Sequence, residues 1–279
     1  MTPRMFRIRR ATRRDKPGIL RVCRAIWKDD YIIPAFDRLY RANIFFVAVK
    51  EKEIVGLLRV HKTFDGQGFM SSLRVHPKHR REGIATALNE GCVRATRQWG
   101  GRRLRLWSEG WNRPAHLAAR SMGYRETGRF WRYRATPKKG GPRFDSGMGS
   151  FSPTKLLNSP YRRACRGYLA HDFEFVDWRK GILQRLSGAN RIRRVDDTSA
   201  GIVDPRTWRR YRYRAVEVFL LSGEPGPFLS AARSYARDHK FRLVTGYFPK
   251  TKEVVRAMKE TGYQKVDWGH PAVLFEMRV

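Results

Sequence analysis

The chain has 279 residues, 41% of them hydrophobic and 13% aromatic, enough apolar material for one large or two modest cores and too much for a disordered polymer. Lys and Arg number 59 against 25 Asp and Glu, a formal net charge of +34; an ion-paired heat-adapted surface raises both signs together, so a one-sided excess points instead to a polyanionic partner. No run has the length of a signal peptide core or a membrane span, which gives a cytoplasmic, membrane-free expectation, and Cys23, Cys92 and Cys165 with the seven histidines show no metal or disulfide spacing.

Residues 6–10 alternate apolar and basic side chains as a half-exposed strand does. Asp15 as cap and Pro17 in the first turn mark a helix that carries Ile19, Leu20, Val22, Cys23 and Ile26. Residues 27–34 break that pattern, and a short helical piece runs to Tyr40. The apolar run 44–49, the tight turn 50–52 and the strand 54–61 form a hairpin, with a further strand over 69–75. After Pro77 a helix starts near Gly83, with Ile84, Leu88, Cys92, Ala95 and Trp99 on one face, and stops at Gly100 and Gly101. A strand at 104–107, a helix over 113–122 capped by Asn112 and a strand at 130–133 complete a domain over residues 1–136.

Residues 137–158 lack a hydrophobic period and contain Gly, Ser and Pro, so they are assigned as a linker to a second domain over 159–279. That second domain echoes the first: strand, helix, Gly-Tyr, strand at 103–124 and beyond corresponds to 241–244, 251–260, Gly262-Tyr263 and 272–275. Upstream, residues 215–221 match the 69–75 strand and 227–239 match the helix after Gly83. A diverged duplication accounts for this, against the competing reading that strand and helix orders of this kind are common.

The chemistry concentrates at the start of the helix near Gly83. A helix N-terminus offers unpaired N–H groups and a favourable dipole to an anion, small residues let the anion approach, and Arg80 and Arg81 add charge. The order of strand Leu73-Arg74-Val75, His76-Pro77, this Arg-rich loop and an amphipathic helix resembles motif A of the GNAT N-acyltransferase superfamily. Asn112, Ala115 and Gly123-Tyr124 after the next strand resemble its motif B, so the resemblance covers roughly residues 6–135. It implies an α/β fold with a mixed sheet, the GNAT acyl-CoA N-acyltransferase fold, here in tandem with a degenerate GNAT-like second domain. It also implies acetyl-CoA as acyl donor. Backbone groups of Leu73, Arg74 and Val75 would pair with the pantetheine arm, with an N–H near Val75 as oxyanion donor. Arg80, Arg81, Glu82, Gly83, Ile84 and Ala85 would hold the pyrophosphate, and Asn112 would lie near the pantetheine or leaving sulfur.

Two positions depart from the family pattern. Ala119 stands where many relatives carry a thiolate-protonating tyrosine, and Ser71 where they often carry a strand carboxylate. Glu109 is then the nearest base candidate, with a solvated loop residue as the competing reading, and His116 is a secondary acid-base candidate. Asp29, Asp30 and Tyr31 fall in the segment that shapes the acceptor pocket in relatives and suit a cationic amine, unless they simply end a helix.

In the second half, the corresponding loop Ser222-Gly223-Glu224-Pro225-Gly226-Pro227 has no arginine pair, and its prolines lack the N–H donors a phosphate cradle uses. No coenzyme is expected there. Basic and aromatic residues interleave around Arg132 and Arg134, around Arg162 and Arg163, and at 208–214, where a strand would put Arg210, Arg212 and Arg214 on one face. Two functions therefore stand: an acetyl-CoA-dependent N-acetyltransferase acting on a primary amine of a small molecule or protein, or a GNAT-fold RNA- or ribosome-binding protein with weak or lost catalysis.

Overall fold

The computed structural model describes residues 5–145, 153–171, 174–208, 213–266 and 269–279. Its contacts divide the chain into two units whose segments alternate in sequence. The first comprises Met1–Trp107, Arg113–Glu126 and Phe275–Val279, the second Ser108–Asn112 and Thr127–Leu274. No described helix is long and apolar enough to cross a membrane.

The first unit opens with β1 (Arg7–Arg10), α1 (Lys16–Arg24), α2 (Ile32–Ala42), β2 (Ile44–Lys50), β3 (Glu53–Lys62) and β4 (Gly68–Val75). It continues with α3 (Ile84–Gln98), β5 (Arg103–Glu109) and α4 (Arg113–Ser121), and its strands lie in the order β1-β2-β3-β4-β5. The unbroken apolar run of β2 is explained by burial on both faces, as in a sheet covered on each side. Phe45, Val47 and Leu57 join Ile19, Val22 and Phe36 of α1 and α2 in one cluster. On the opposite face α3 comes close enough that a Cβ on Gly91 would sit 3.0 Å from the Phe46 ring. Contrary to the sequence expectation, Asp15 does not cap α1 with its side chain. Its carboxylate instead accepts from Arg9 Nη1 (2.6 Å), Arg9 Nη2 (2.7 Å) and Thr12 N (2.6 Å), tying the loop ahead of the helix to β1.

Strand β4 is irregular on both of its edges. Leu57 pairs with Arg74 and Arg59 with Ser71, so Ser72 and Leu73 together face Leu58 in a bulge, and Ser72 takes the left-handed φ of 64°. The parallel pairing of β4 with β5 is registered only at Gly68↔Leu104 and Phe69↔Arg105. Beyond those pairs the two strands part, leaving a wedge beside the bulge.

Buried charge closes the same unit. Arg105 of β5 is fully buried and donates through Nη1 to Asp65 Oδ2 and through Nε to Glu276 Oε2, both at 2.7 Å. Glu276 belongs to the last residues of the chain, so the C-terminus supplies part of the first unit's core.

The second unit contains most of β6 (Arg125–Ala135), then α5 (Pro153–Leu157), α6 (Pro160–Ala164), the hairpin β7 (Tyr168–His171) and β8 (Glu174–Asp177), and α7 (Lys180–Gly188). After these come β9 (Ile192–Arg194), β10 (Ala200–Trp208), β11 (Tyr213–Ser222), α8 (Pro225–Asp238), β12 (Leu243–Phe248), α9 (Lys252–Glu260), β13 (Gln264–Lys265) and β14 (Pro271–Arg278). Its sheet runs β14-β6-β12-β11-β10-β9, with β11 and β12 parallel. Its aromatic core sets Phe130 tilted against Phe175 (centroids 4.4 Å apart) and stacks Phe219 with Phe248 (6.4 Å). The series β3, β4, α3, β5, α4 recurs as β10, β11, α8, β12, α9, with the antiparallel and then parallel pairings repeated.

Candidate coenzyme and acceptor site

Gly83 precedes α3 with φ 78°, a conformation that favours glycine, and a Cβ placed on it would meet nothing within 4 Å. Its carbonyl accepts the helix bond from Ala87 N at 3.1 Å, so the N–H groups of Ile84, Ala85 and Thr86 lie in the first turn, where the helix supplies no acceptor. Arg80 and Arg81 are exposed and in no ion pair among the described residues; Arg81 is itself left-handed at φ 67°. Glu82 plays a different part from its neighbours. Its carboxylate is clamped by Lys50 Nζ and His79 Nδ1, each at 3.1 Å, and the Lys50 bond in particular holds its pKa below the usual range. The loop is thus fixed from below by Glu82 while its two arginines and its helix donors stay open.

Across β4 lies a second constellation. Arg74 donates through Nε to Asp30 Oδ2 at 2.7 Å, and its guanidinium lies over the Trp27 ring at 4.5 Å and the Tyr31 ring at 5.7 Å. Asp30 also accepts from Ile32 N at 3.0 Å, so its fully buried carboxylate starts α2 and fixes Arg74. Asp29 beside it is exposed. Tyr31 Oη and Ser72 Oγ share a hydrogen bond of 2.5 Å at the bulge of β4. Ser71 accepts from Arg59 Nε at 2.9 Å. Burial, assisted by Asp30, pushes the nearby Cys23 thiol up to about 12, which leaves it protonated and inert at neutral pH.

The remaining sequence candidates disperse. Glu109 and Asn112 fall in the segment Ser108–Asn112 of the second unit, where Gly110 N donates to Pro271 O at 2.7 Å. His116 packs its ring on Phe275 at 5.2 Å, and Ala119 is buried in α4. Among the arginines considered for RNA, Arg162 donates to Trp178 O (3.1 Å) and Leu157 O (3.5 Å), and Arg132 reaches Thr245 Oγ1 at 3.5 Å. Arg134, Arg163 and Arg214 are exposed, the last lying over Phe241 at 4.5 Å. Arg210 and Arg212 lie outside the described residues.

Sequence reasoning missed the bulge at Ser72 and the Tyr31–Ser72 bond. The one local signal was a Ser-Ser pair inside an otherwise apolar strand, and it does not say which residue turns left-handed.

Residues 7–124 match the model of the acetyltransferase (GNAT) family. No curated protein matches the chain. Among solved structures, the GCN5-related N-acetyltransferase from Sphaerobacter thermophilus aligns with a TM-score of 0.60 at 13% identity, over 100% of this chain and 97% of that one. A tandem GNAT protein from the clavulanic acid biosynthesis pathway aligns with a TM-score of 0.55 at 14% identity, over 98% of each chain. The whole chain therefore has the mixed α/β fold of tandem GNAT proteins, and within it residues 7–124 carry the match to the GNAT acetyltransferase family.

Proposed function

We propose that the first unit binds acetyl-CoA and transfers its acetyl group to a primary amine of a small molecule or protein. The observation that carries this reading is Gly83, whose left-handed start to α3 opens onto empty space beside two exposed arginines. In that position the first-turn N–H groups and the charges of Arg80 and Arg81 suit a pyrophosphate. When bound, the coenzyme supplies an activated thioester. The backbone of Leu73, Arg74 and Val75 lies beyond the registered β4–β5 pairs, where the pantetheine arm would lie, and an N–H near Val75 would polarise the thioester oxygen.

Proton handling falls first to the Tyr31–Ser72 hydroxyl pair, since Ser72 lies on the strand that would hold the thioester and Tyr31, at the start of α2, is hydrogen-bonded to it. Glu109, the nearest carboxylate offered by the sequence as a base, and His116 stand behind this pair as secondary candidates. Of the acceptor-side carboxylates, Asp29 is the one open to a cationic amine, because Asp30 is engaged by Arg74.

The test is coenzyme release. Purified protein incubated with acetyl-CoA and a panel of primary amines should liberate free thiol above the rate of hydrolysis and yield acetylated amine by mass. Failure to bind acetyl-CoA would sink the reading. The formal charge of +34 supports a second reading, RNA or ribosome binding through exposed arginines such as Arg134, Arg163 and Arg214. It requires an affinity for single-stranded RNA that falls steeply with salt.

A further inference from the structure

Apart from the loop before α3, the second unit contains a cationic cleft with a built frame. It measures about 260 Å³ and lies between the 138–141 turn, α8 and the end of α9. Arg233 of α8 ties its two walls together: Nε donates to Thr136 O at 2.8 Å, and Nη1 donates to Thr261 O. Lys138 N donates back to Arg233 O at 3.3 Å, and Gly141 N to Ser234 Oγ at 3.0 Å. A Cβ on Gly141 would come within 2.7 Å of that Ser234 oxygen, so the turn lies against the helix as closely as glycine allows. The floor and walls are therefore set before any ligand arrives.

Into this frame converge Lys138, Lys139 and Lys259, all exposed and in no ion pair among the described residues. With Arg233 they make four positive charges against one negative, Glu260, and Glu260 leans toward Arg256 at 3.9 Å. Lys259 has a local reason to be there, since a cation in the last turn of α9 complements the helix dipole. Lys138 and Lys139 end no helix, and their place beside Lys259 brings like charges together with Glu260 as the one acidic residue of the lining. Ser230 and Thr261 add hydroxyl groups to the lining. The cleft is smaller than the roughly 300–1,000 Å³ that encloses a whole small ligand, so it suits one compact anionic group.

We propose that this cleft binds a phosphate group, with Lys138, Lys139 and Lys259 as its charges and Arg233 as the brace that positions them. Lysine serves phosphate as a point charge, and the braced backbone brings three of them to one cleft. The phosphate arrives either as a free anion or as one unit of an RNA backbone, and both present the same group to the cleft.

The test uses the full chain, inorganic phosphate and a 5′-hydroxyl single-stranded RNA oligonucleotide as separate probes. The variant Lys139→Glu/Lys259→Glu is compared with Lys180→Glu/Lys252→Glu, which makes the same net charge change at the first turns of α7 and α9. Binding is read by calorimetry at two salt concentrations, with melting temperature as a check on folding. Saturable phosphate binding by the wild type, weakened on the order of tenfold in the cleft variant but not in the control, is the expected result. A parallel loss of RNA affinity, with the salt slope reduced by about 2, assigns the phosphate to RNA. Unchanged RNA binding with lost phosphate binding assigns it to a free anion. Absence of saturable phosphate binding, or equal losses in both variants, overturns the proposal. Should the cleft variant melt early, Lys139→Gln/Lys259→Gln replaces it under the same criteria.

Discussion

Gly83 and Gly100 sit at opposite ends of α3 with nearly the same backbone, φ 78° and 75°, and neither would bring a Cβ within 4 Å of another atom. Replacing either by alanine therefore introduces no clash and one left-handed alanine, a strain of ~1–2 kcal/mol. Reduced freedom of the unfolded chain returns ~0.4–1 kcal/mol of that, for a net loss near 1 kcal/mol. Both variants should melt a few degrees below wild type, on the order of 2–4 °C. Their responses to acetyl-CoA should differ, because only the Gly83 methyl enters the space assigned to the pyrophosphate. With ligand at a hundred times the wild-type Kd, wild type and Gly100→Ala each gain ~2.7 kcal/mol. A tenfold weaker Gly83→Ala gains ~1.4 kcal/mol. Differential scanning fluorimetry with and without acetyl-CoA reads both numbers in one experiment. Equal ligand-induced shifts in the two alanine variants would refute the placement of the coenzyme at Gly83.

Arg105→Met should cost ~3–5 kcal/mol in urea unfolding, because it removes the buried cation that Asp65 and Glu276 share; a loss below ~1 kcal/mol would mean that Thr63 beside Asp65 and Arg103 beside Glu276 compensate for it. Deleting Phe275–Val279 removes Glu276 and Met277 from the first unit and should lower that unit's hydrogen-exchange protection, with protection at wild-type level counting against the strand's part in the core. Asp15 has its carboxyl drawn down to about 2, chiefly by Arg9, with burial opposing and Thr12 assisting. A folded pKa below the unfolded value of ~3.9 contributes stability above that value that disappears as pH falls toward 2. The charge-dependent deficit of Asp15→Asn should therefore be full at pH 6 and mostly lost by about pH 2; a deficit constant across that range contradicts the pairing. Tyr31→Phe should lower turnover by about 10²-fold with acetyl-CoA affinity intact, and unchanged kcat would remove Tyr31 from the proton path.

The parts of the fold that the amino-acid sequence displays are those set by local pattern. Ile44 to Lys50 shows its strand as an apolar run, and α3 shows its start through Gly83 and its stop through Gly100, because both glycines answer a backbone requirement within a few residues. What the sequence hides depends on partners distant along the chain. Asp30 looks like a free carboxylate beside Asp29, and its engagement by Arg74, 44 residues away, becomes visible only when β4 lies against the start of α2. Asp15 has the spacing of a helix cap, yet Arg9 on β1 competes for it and wins because a charged donor forms the stronger bond. The return of Glu276 to Arg105 spans 171 residues and leaves no local mark on either. Residues 153–157 form a helix although no period announces one, since five residues are too few to display it.

The duplicated units differ most at the one place where the chemistry is decided. At α3, Gly83 opens onto free space, the first turn carries donors, and Arg80 and Arg81 supply charge. At α8 the residue in the place of Gly83 is Glu224, Gly223 ahead of it is wedged in with a Cβ position 2.4 Å from the Ser199 backbone, and Pro225 and Pro227 delete two of the donors. The Glu224 N–H is taken by Ser199 Oγ at 3.0 Å, and its carboxylate would repel a phosphate. The second wedge is also closed: Gly246 of β12 lies so near Val218 O of β11 that a Cβ would fall 2.0 Å from it. Glycine thus serves opposite ends in the two copies, admitting a ligand in the first and admitting the protein's own backbone in the second. A coenzyme site in the second unit would require both glycines to move, so substitutions that add Arg or remove Pro around residue 224 should leave it without affinity for acetyl-CoA.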